Sequence, residues 1–288
     1  MEVEHCPACE HPLNKGLQSW HRQCTRCTYE GSTLQVDIDV QGDREVLDEV
    51  LREEGLGTLR QRNFRILAEE LTARFPHGGR RPRLLDVGCA HGWFLEAAGD
   101  HFDVLGIEPD ARVAELAAAR GLPARRGFFP DALAADDLFD VIIFNDVMEH
   151  IPDILAALRA CARHLLPGGM IVINAPARTG VLYRTSRLMA SIGLSASFDR
   201  MWQKGFPSPH LHYLDDRTMR ALGARAGLRL HCVRTLRSIS VRGLYARIRY
   251  DRSVSATKAL ATTGVLAVMA PLFGLLPADI KVWTLVAA

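Results

Sequence analysis

Two cysteine pairs open the chain, Cys6-Pro-Ala-Cys9 and Cys24-Thr-Arg-Cys27. A Cys-x-x-Cys turn presents two thiolates to one point, and two such turns supply the four soft ligands of a tetrahedral zinc site. A redox pair would open a helix after a strand, and neither pair does so. Residues 1–40 are therefore read as a zinc ribbon with Cys6, Cys9, Cys24 and Cys27 as ligands. A segment of about forty residues cannot form an adequate core without a staple, so the metal's expected role is structural. Its acids Glu2, Glu4, Glu10, Glu30, Asp37 and Asp39 outnumber Lys15, Arg22 and Arg26, which argues against phosphate-backbone binding by this part.

A second concentration of chemistry is Leu84-Leu-Asp86-Val-Gly88-Cys-Ala90-His-Gly92. Glycine is needed where a chain leaves a strand, turns tightly and lets a ligand touch its backbone. A dinucleotide site would carry Gly-x-Gly-x-x-Gly, and Gly88-x-x-x-Gly92 behind Asp86 does not fit that template. About twenty residues beyond Gly88, the offset expected across one βαβ unit, Glu108 ends the run Val104-Leu-Gly-Ile-Glu108. A carboxylate placed there accepts two vicinal ribose hydroxyls.

The elements around these residues alternate. Arg83–Val87, Val104–Ile107, Ala124–Arg126, Phe139–Phe144 and Met170–Asn174 read as strands. Helical patterns open at Trp93, Ala111 and Ile154, the last ending at Pro167-Gly-Gly. That order implies parallel strands with crossover helices, an α/β doubly wound sheet apolar on both faces. Residues 41–80 read as a helical linker that Gly55 and Gly57 split in two. The sheet-forming core spans 81–253, with an insertion at 177–213, a helix at Asp216–Ala226 and a strand at Leu228–Thr235. Residues 254–288 hold an apolar helix and a final strand, Ile280–Val286.

Asp86-x-Gly88-x-Ala90-x-Gly92, Glu108, Phe139-Asp-Val-Ile-Ile-Phe-Asn145-Asp146-Val-Met-Glu149-His150 and Leu166-Pro-Gly-Gly-Met-Ile-Val-Ile-Asn occur in an order that resembles class I S-adenosylmethionine (SAM) dependent methyltransferases. The resemblance covers roughly residues 60–250, with Ala90 where the family pattern has its middle glycine. It implies a Rossmann-like fold, SAM as cofactor, Asp86 orienting the amino-acid half of SAM, and Asn145 and Asp146 at the same site. Many relatives place Gly-Asp after the third strand. Here Gly127 is followed by Phe128, so adenine recognition is expected from the backbone and from stacking on Phe128.

Methyl transfer from a sulfonium is an in-line displacement, in which the protein chiefly aligns the partners and excludes water. A base is needed where the acceptor is a hydroxyl or a protonated amine. His150, His210 and His212 titrate in the right range, and the last two share a face if their segment is extended. Tyr183, Trp202 and Tyr213 fall in the insertion and are candidates for acceptor contact. Asp146-x-x-Glu149-His150 also resembles a metal-binding arrangement of quinone O-methyltransferases, in which a hard cation acidifies a phenol.

Seven cysteines, an odd number, and an N-terminus without basic and apolar runs lead us to expect the reducing cytoplasm. Arginines 217, 220, 225, 229, 234, 237, 242, 247, 249 and 252 face a single nearby acid, Asp251, and no charge occurs from Ala259 to Leu276. Glycines and a proline weaken a membrane span there. Peripheral membrane contact through about 254–276 and packing on the protein's own core or a second subunit stand as alternatives. The expected acceptor is small or lipid-linked, a glycan precursor or quinone-type lipid. An RNA methyltransferase using the ribbon and the arginines is a second reading, although nucleic acid is the less expected partner. A non-catalytic SAM-binding interaction protein is a third.

Overall fold

A computed structural model describes residues 5–37, 49–75, 79–236, 243–249, 254–273 and 276–288. Arg237, Arg242 and Arg252 of the arginine stretch, and the start of the linker at 41–48, lie outside the described residues. Strands β1 (Asn14–Lys15), β2 (His21–Gln23) and β3 (Glu30–Ser32) form the cysteine ribbon. Helix α1 (Glu49–Thr72) leads to β4 (Arg83–Val87), α2 (Trp93–Ala98), β5 (Asp103–Glu108), α3 (Ala111–Ala119) and β6 (Ala124–Arg126). There follow β7 (Phe139–Asn145), α4 (Ile154–Arg163) and β8 (Leu165–Pro176). The insertion holds α5 (Val181–Ser191), α6 (Ala196–Met201) and β9 (His212–Tyr213). The chain ends with α7 (Asp216–Arg225), β10 (Leu228–Leu236), α8 (Leu244–Arg249), α9 (Ala256–Phe273) and β11 (Ile280–Ala287).

The main sheet runs β10-β11-β8-β7-β4-β5-β6, with β11 antiparallel to both neighbours. From β4 the chain winds outward through β5 and β6 and then returns to β7 on the other side. The carboxyl ends of β4 and β7 thus flank a topological switch point, where open α/β sheets bind ligands. Leu84, Leu85, Val141, Ile142, Ile143 and Phe144 are fully buried, because helices cover both faces. One face packs on Phe64, Leu67 and Leu71 of α1 with Phe94 of α2, the other on Leu155 and Leu158 of α4 with Met219 and Leu222 of α7.

Three details depart from the sequence reading. Helix α1 runs unbroken through Gly55 and Gly57. Gly57 is buried beside Trp93 of α2, where a Cβ would make an ordinary 3.5 Å contact, and this packing carries the helix through a residue of low intrinsic propensity. Helix α4 stops at Arg163, since the sheet claims Leu165 as the partner of Phe139 and β8 runs through Pro167-Gly-Gly. The insertion carries its own helices, and its strand β9 pairs antiparallel with β3, so the ribbon's sheet is completed by the core.

Candidate active site

A chamber of about 1630 Å³ opens over the carboxyl ends of β4, β5, β7 and β8. It exceeds the ~300–1,000 Å³ of an ordinary small-molecule pocket, leaving room for a cofactor and an acceptor together. Asp86, Gly88, Ala90, Glu108, Phe128, Asn145 and Asp146 line one part of it. Gly92 does not line it. Its φ of 79° turns the chain into α2, and a Cβ would meet Leu122 Cδ1 at 2.3 Å, so close packing explains this glycine. Ala90 has a φ of 46°, a left-handed conformation that the family's glycine adopts more easily.

The Glu108 carboxylate accepts the Ala90 N–H through Oε2 and the Asp110 N–H through Oε1, each at 3.0 Å. Held this way at the end of β5, the carboxylate lines the chamber at a place that suits a ribose diol. Asp86 is buried, and Asn145 Nδ2 donates to its Oδ1 at 3.4 Å. Burial, with the Glu108 charge adding, pushes the Asp86 carboxyl up to about 8 despite the Asn145 bond. A carboxyl held this way favours a cationic ligand, and the amino group of SAM is one. These residues fit that cofactor. Phe128 is half exposed on the chamber wall, and a ring there offers a stacking face.

The other part of the chamber holds Glu149, His150, His210, Tyr183 and Tyr213. Nδ1 of His150 lies 2.9 Å from the Pro209 carbonyl oxygen, which fixes a proton on Nδ1 and the orientation of the ring. The His150 and His210 rings are 4.8 Å apart. Burial, and then His150, push His210 well below the usual imidazole range. Burial, with the Asp146 charge adding, raises the Glu149 carboxyl, and neither of its oxygens accepts a hydrogen bond among the described residues. Ligand atoms of Glu149, His150 and His210 lie within 4.8 Å of one another. Asp146 stays outside that group, its Oδ2 accepting from Arg60 of α1 at 3.1 Å.

Two candidate residues sit behind the wall. His212 is buried between Tyr29, whose hydroxyl lies 2.5 Å from Nδ1, and the Ile151 carbonyl, 2.8 Å from Nε2. Trp202 is fully buried in an aromatic cluster with Trp20, Phe198, Tyr183 and Tyr213. Neither lines the chamber. Sequence reasoning missed Arg60, whose helix read as a linker, and Glu30, which nothing in its local pattern distinguishes from the ribbon's other acids.

The four ribbon thiols converge, with Cys6 and Cys27 Sγ 3.3 Å apart, Cys9 and Cys24 Sγ 3.5 Å apart, and all four within 4.8 Å. Zinc–sulfur bonds of about 2.3 Å place thiolates about 3.8 Å apart in a tetrahedron, so the cluster is compatible with a zinc ribbon. Among the described residues, no helix is long and apolar enough to cross a membrane.

A Rossmann-like sheet with this carboxylate-lined chamber at its switch point defines the class I SAM-dependent methyltransferases. The chain belongs to the methyltransferase domain family, whose model matches residues 59–233. It is similar to a ubiquinone biosynthesis O-methyltransferase of Cereibacter sphaeroides, 38% identical over 112 residues that make up 36% of this chain and 44% of that protein. A Caulobacter protein of the same name is 32% identical over 152 residues, 47% of this chain and 57% of that protein. The chain thus spans about half the length of the curated relatives it matches. Among solved structures, a geranyl diphosphate methyltransferase in complex with SAM superposes with a TM-score of 0.55 at 16% identity, over 87% of this chain and 94% of that one. A possible histamine N-methyltransferase of Thermotoga maritima gives 0.51 at 17% identity, over 83% and 94%. These likenesses show the fold.

Proposed function

We propose that this chain methylates a hydroxyl of a small or lipid-linked acceptor, a quinone-type phenol before a glycan precursor. The observation that carries this reading is His150, whose ring is anchored through Nδ1 to the Pro209 carbonyl in the same chamber as Asp86 and Glu108. Asp86, Glu108 and Phe128 would hold SAM, which would supply an electrophilic methyl group and leave as S-adenosylhomocysteine. His150 would take the hydroxyl proton of the acceptor as general base. His210, neutral at physiological pH, adds no charge to repel the imidazolium that forms. Tyr183 and Tyr213, stacked with centroids 3.9 Å apart, present an aromatic wall to the acceptor. The relatives' O-methyltransferase names support the same chemistry.

A second reading places a hard cation on Glu149, His150 and His210, favoured by the Glu149 oxygens that lack a hydrogen-bond donor. Such an ion would lower the acceptor phenol's pKa, and His150 would then serve as ligand in place of base.

Contact with a membrane surface is part of the proposal. Helices α5 and α9 each turn some residues to the chamber, Met189 and Leu266 among them. Leu188, Ile192 and Leu194 by α5, and Leu260, Val265 and Val268 of α9, are exposed. Apolar side chains beside a chamber mouth suit delivery of an acceptor from lipid. In the ribbon, zinc bound by Cys6, Cys9, Cys24 and Cys27 acts as the staple; burial pushes the Cys6 thiol up, so a cation is needed to hold it as thiolate.

The test is methyl transfer from labelled SAM to an alkylcatechol, with and without magnesium and with a chelator arm. Label in the catechol without added metal supports His150 as base, and label abolished by the chelator supports the cation. No transfer by protein that binds S-adenosylhomocysteine sinks the phenol reading.

A further inference from the structure

The ribbon's third strand, with Tyr29 just before it, bonds to the segments that carry the acceptor part of the chamber. Tyr29 hydrogen-bonds His212, whose other ring nitrogen reaches the Ile151 carbonyl just past His150. Ser32 donates from Oγ to the His210 carbonyl at 2.9 Å and from its backbone to the Leu211 carbonyl at 3.0 Å. Leu211 N–H in turn donates to the Glu149 carbonyl at 2.7 Å. Between them lies Glu30, a ribbon acid that is 1% exposed.

Four donors surround the Glu30 carboxylate. Tyr183 Oη donates to Oε2 at 2.5 Å, and His21 Nε2 lies 3.0 Å from the same oxygen. Arg178 Nε donates to Oε1 at 2.6 Å, and an Arg187 nitrogen lies 3.4 Å from it. Burying a carboxylate is costly, and apolar residues would dock the ribbon as firmly. A charge satisfied this fully instead fixes geometry, because each donor has one place to point. Tyr183 is the informative donor. Its phenol is tied to the ribbon, while its ring stacks on Tyr213 and both rings line the chamber.

We propose that Glu30 is a positioning residue of the acceptor site. It holds Tyr183, and through it the Tyr183–Tyr213 wall, so the cysteine ribbon forms part of the acceptor chamber. The cofactor part of the chamber is built from β4, β5 and β7 and does not depend on this contact. The acceptor half of the inference rests on the function proposed above; the Glu30–Tyr183 coupling does not.

The experiment is a double-mutant cycle on the full chain with Glu30→Gln, Tyr183→Phe and the pair. Three readouts are taken: S-adenosylhomocysteine affinity by calorimetry, amide hydrogen exchange over residues 181–191 in the complex, and kcat and KM for alkylcatechol methylation. Glu30→Gln should keep the ligand's Kd within about twofold, speed exchange over 181–191 at least tenfold and raise KM about tenfold with a smaller change in kcat. The pair should be no worse than Glu30→Gln alone, since Tyr183→Phe removes only the bond to Tyr183 that the loss of the Glu30 charge has already weakened. Unchanged exchange and KM in Glu30→Gln overturn the proposal, as do additive effects in the pair or a parallel loss of S-adenosylhomocysteine binding. If Glu30→Gln does not fold, Tyr183→Phe alone decides, and unchanged exchange over both 28–32 and 181–191 overturns it. If the wild type leaves the catechol unmethylated, the phenol reading fails by itself, and exchange still decides the coupling.

Discussion

The Glu108 carboxylate receives the Ala90 N–H at 3.0 Å, which ties the end of β5 to the turn that leaves β4. The acid therefore braces the local backbone, and as the proposed ribose ligand it would serve the cofactor as well. Glu108→Ala removes two charge-assisted hydrogen bonds to ligand, of which each is worth about 1.5–3 kcal/mol. Partial replacement by water should leave a net loss of about 2–3 kcal/mol, or roughly 30- to 150-fold in Kd for S-adenosylhomocysteine. Calorimetry checks this, and an unchanged Kd would remove Glu108 from the cofactor site.

Asp86 gives the affinity a pH dependence. Burial first, and then Glu108, hold its carboxyl near 8, so below that pH it is protonated in the free protein. A group raised above its unfolded value stabilises the fold at low pH, and that contribution is lost as pH rises through the folded pKa. Binding the ligand's ammonium group to ionised Asp86 offsets the loss and expels the proton. Affinity for S-adenosylhomocysteine should therefore climb between pH 5.5 and 7.5, by up to about tenfold per unit, with release of close to one proton. Calorimetry in buffers of different ionisation enthalpy measures that proton. Asp86→Asn should flatten the profile, and a slope that survives it would assign the proton elsewhere.

Removal of one thiol tests the ribbon. Cys9→Ser replaces a soft ligand by a hydroxyl, so zinc measured by elemental analysis should fall from one per chain to a small fraction. Because Tyr29, Glu30 and Ser32 follow the last knuckle, the loss should spread to amide protection in the insertion, by at least tenfold over 210–214. S-adenosylhomocysteine affinity should stay within a few-fold. Wild-type protein that carries no zinc would refute the ligand assignment outright.

Local chemistry explains which features were readable in advance. Strands β4, β5 and β7 announce themselves because a sheet covered on both faces needs unbroken apolar runs, and the Gly88 turn because only a few residues tolerate its backbone. The four cysteines are legible because two spaced pairs have few other uses. Long-range pairings are a different matter. The β3–β9 ladder joins residues nearly two hundred positions apart, and neither strand is long enough to show a period. The same gap hid Glu30, whose four partners come from the ribbon, the end of β8 and α5. Helix α1 misled for a related reason, since its packing on α2 and the sheet outweighs the helix-breaking preference of its two glycines.

His150 and His212 look alike in sequence, and their surroundings separate them. His150 bonds one ring nitrogen to the Pro209 carbonyl and lines the chamber, whereas His212 has both nitrogens engaged between the ribbon and Ile151. General-base catalysis contributes about 10²- to 10⁴-fold, so His150→Ala should lower kcat for alkylcatechol methylation by that order. Its S-adenosylhomocysteine Kd and melting temperature should barely move, because the ring is only half-buried at the chamber wall and outside the hydrophobic core. His212→Ala should do the reverse. It strands the buried Tyr29 hydroxyl and leaves a cavity, at a cost of about 1–3 kcal/mol of stability, with kcat within a few-fold at temperatures where the protein stays folded. Burial, the larger cause, pushes His212 down to about 4. A pH–rate inflection near neutrality that persists in His212→Ala and disappears in His150→Ala would assign the base to His150. The opposite pattern would transfer that role to His212 and require the insertion to open during turnover.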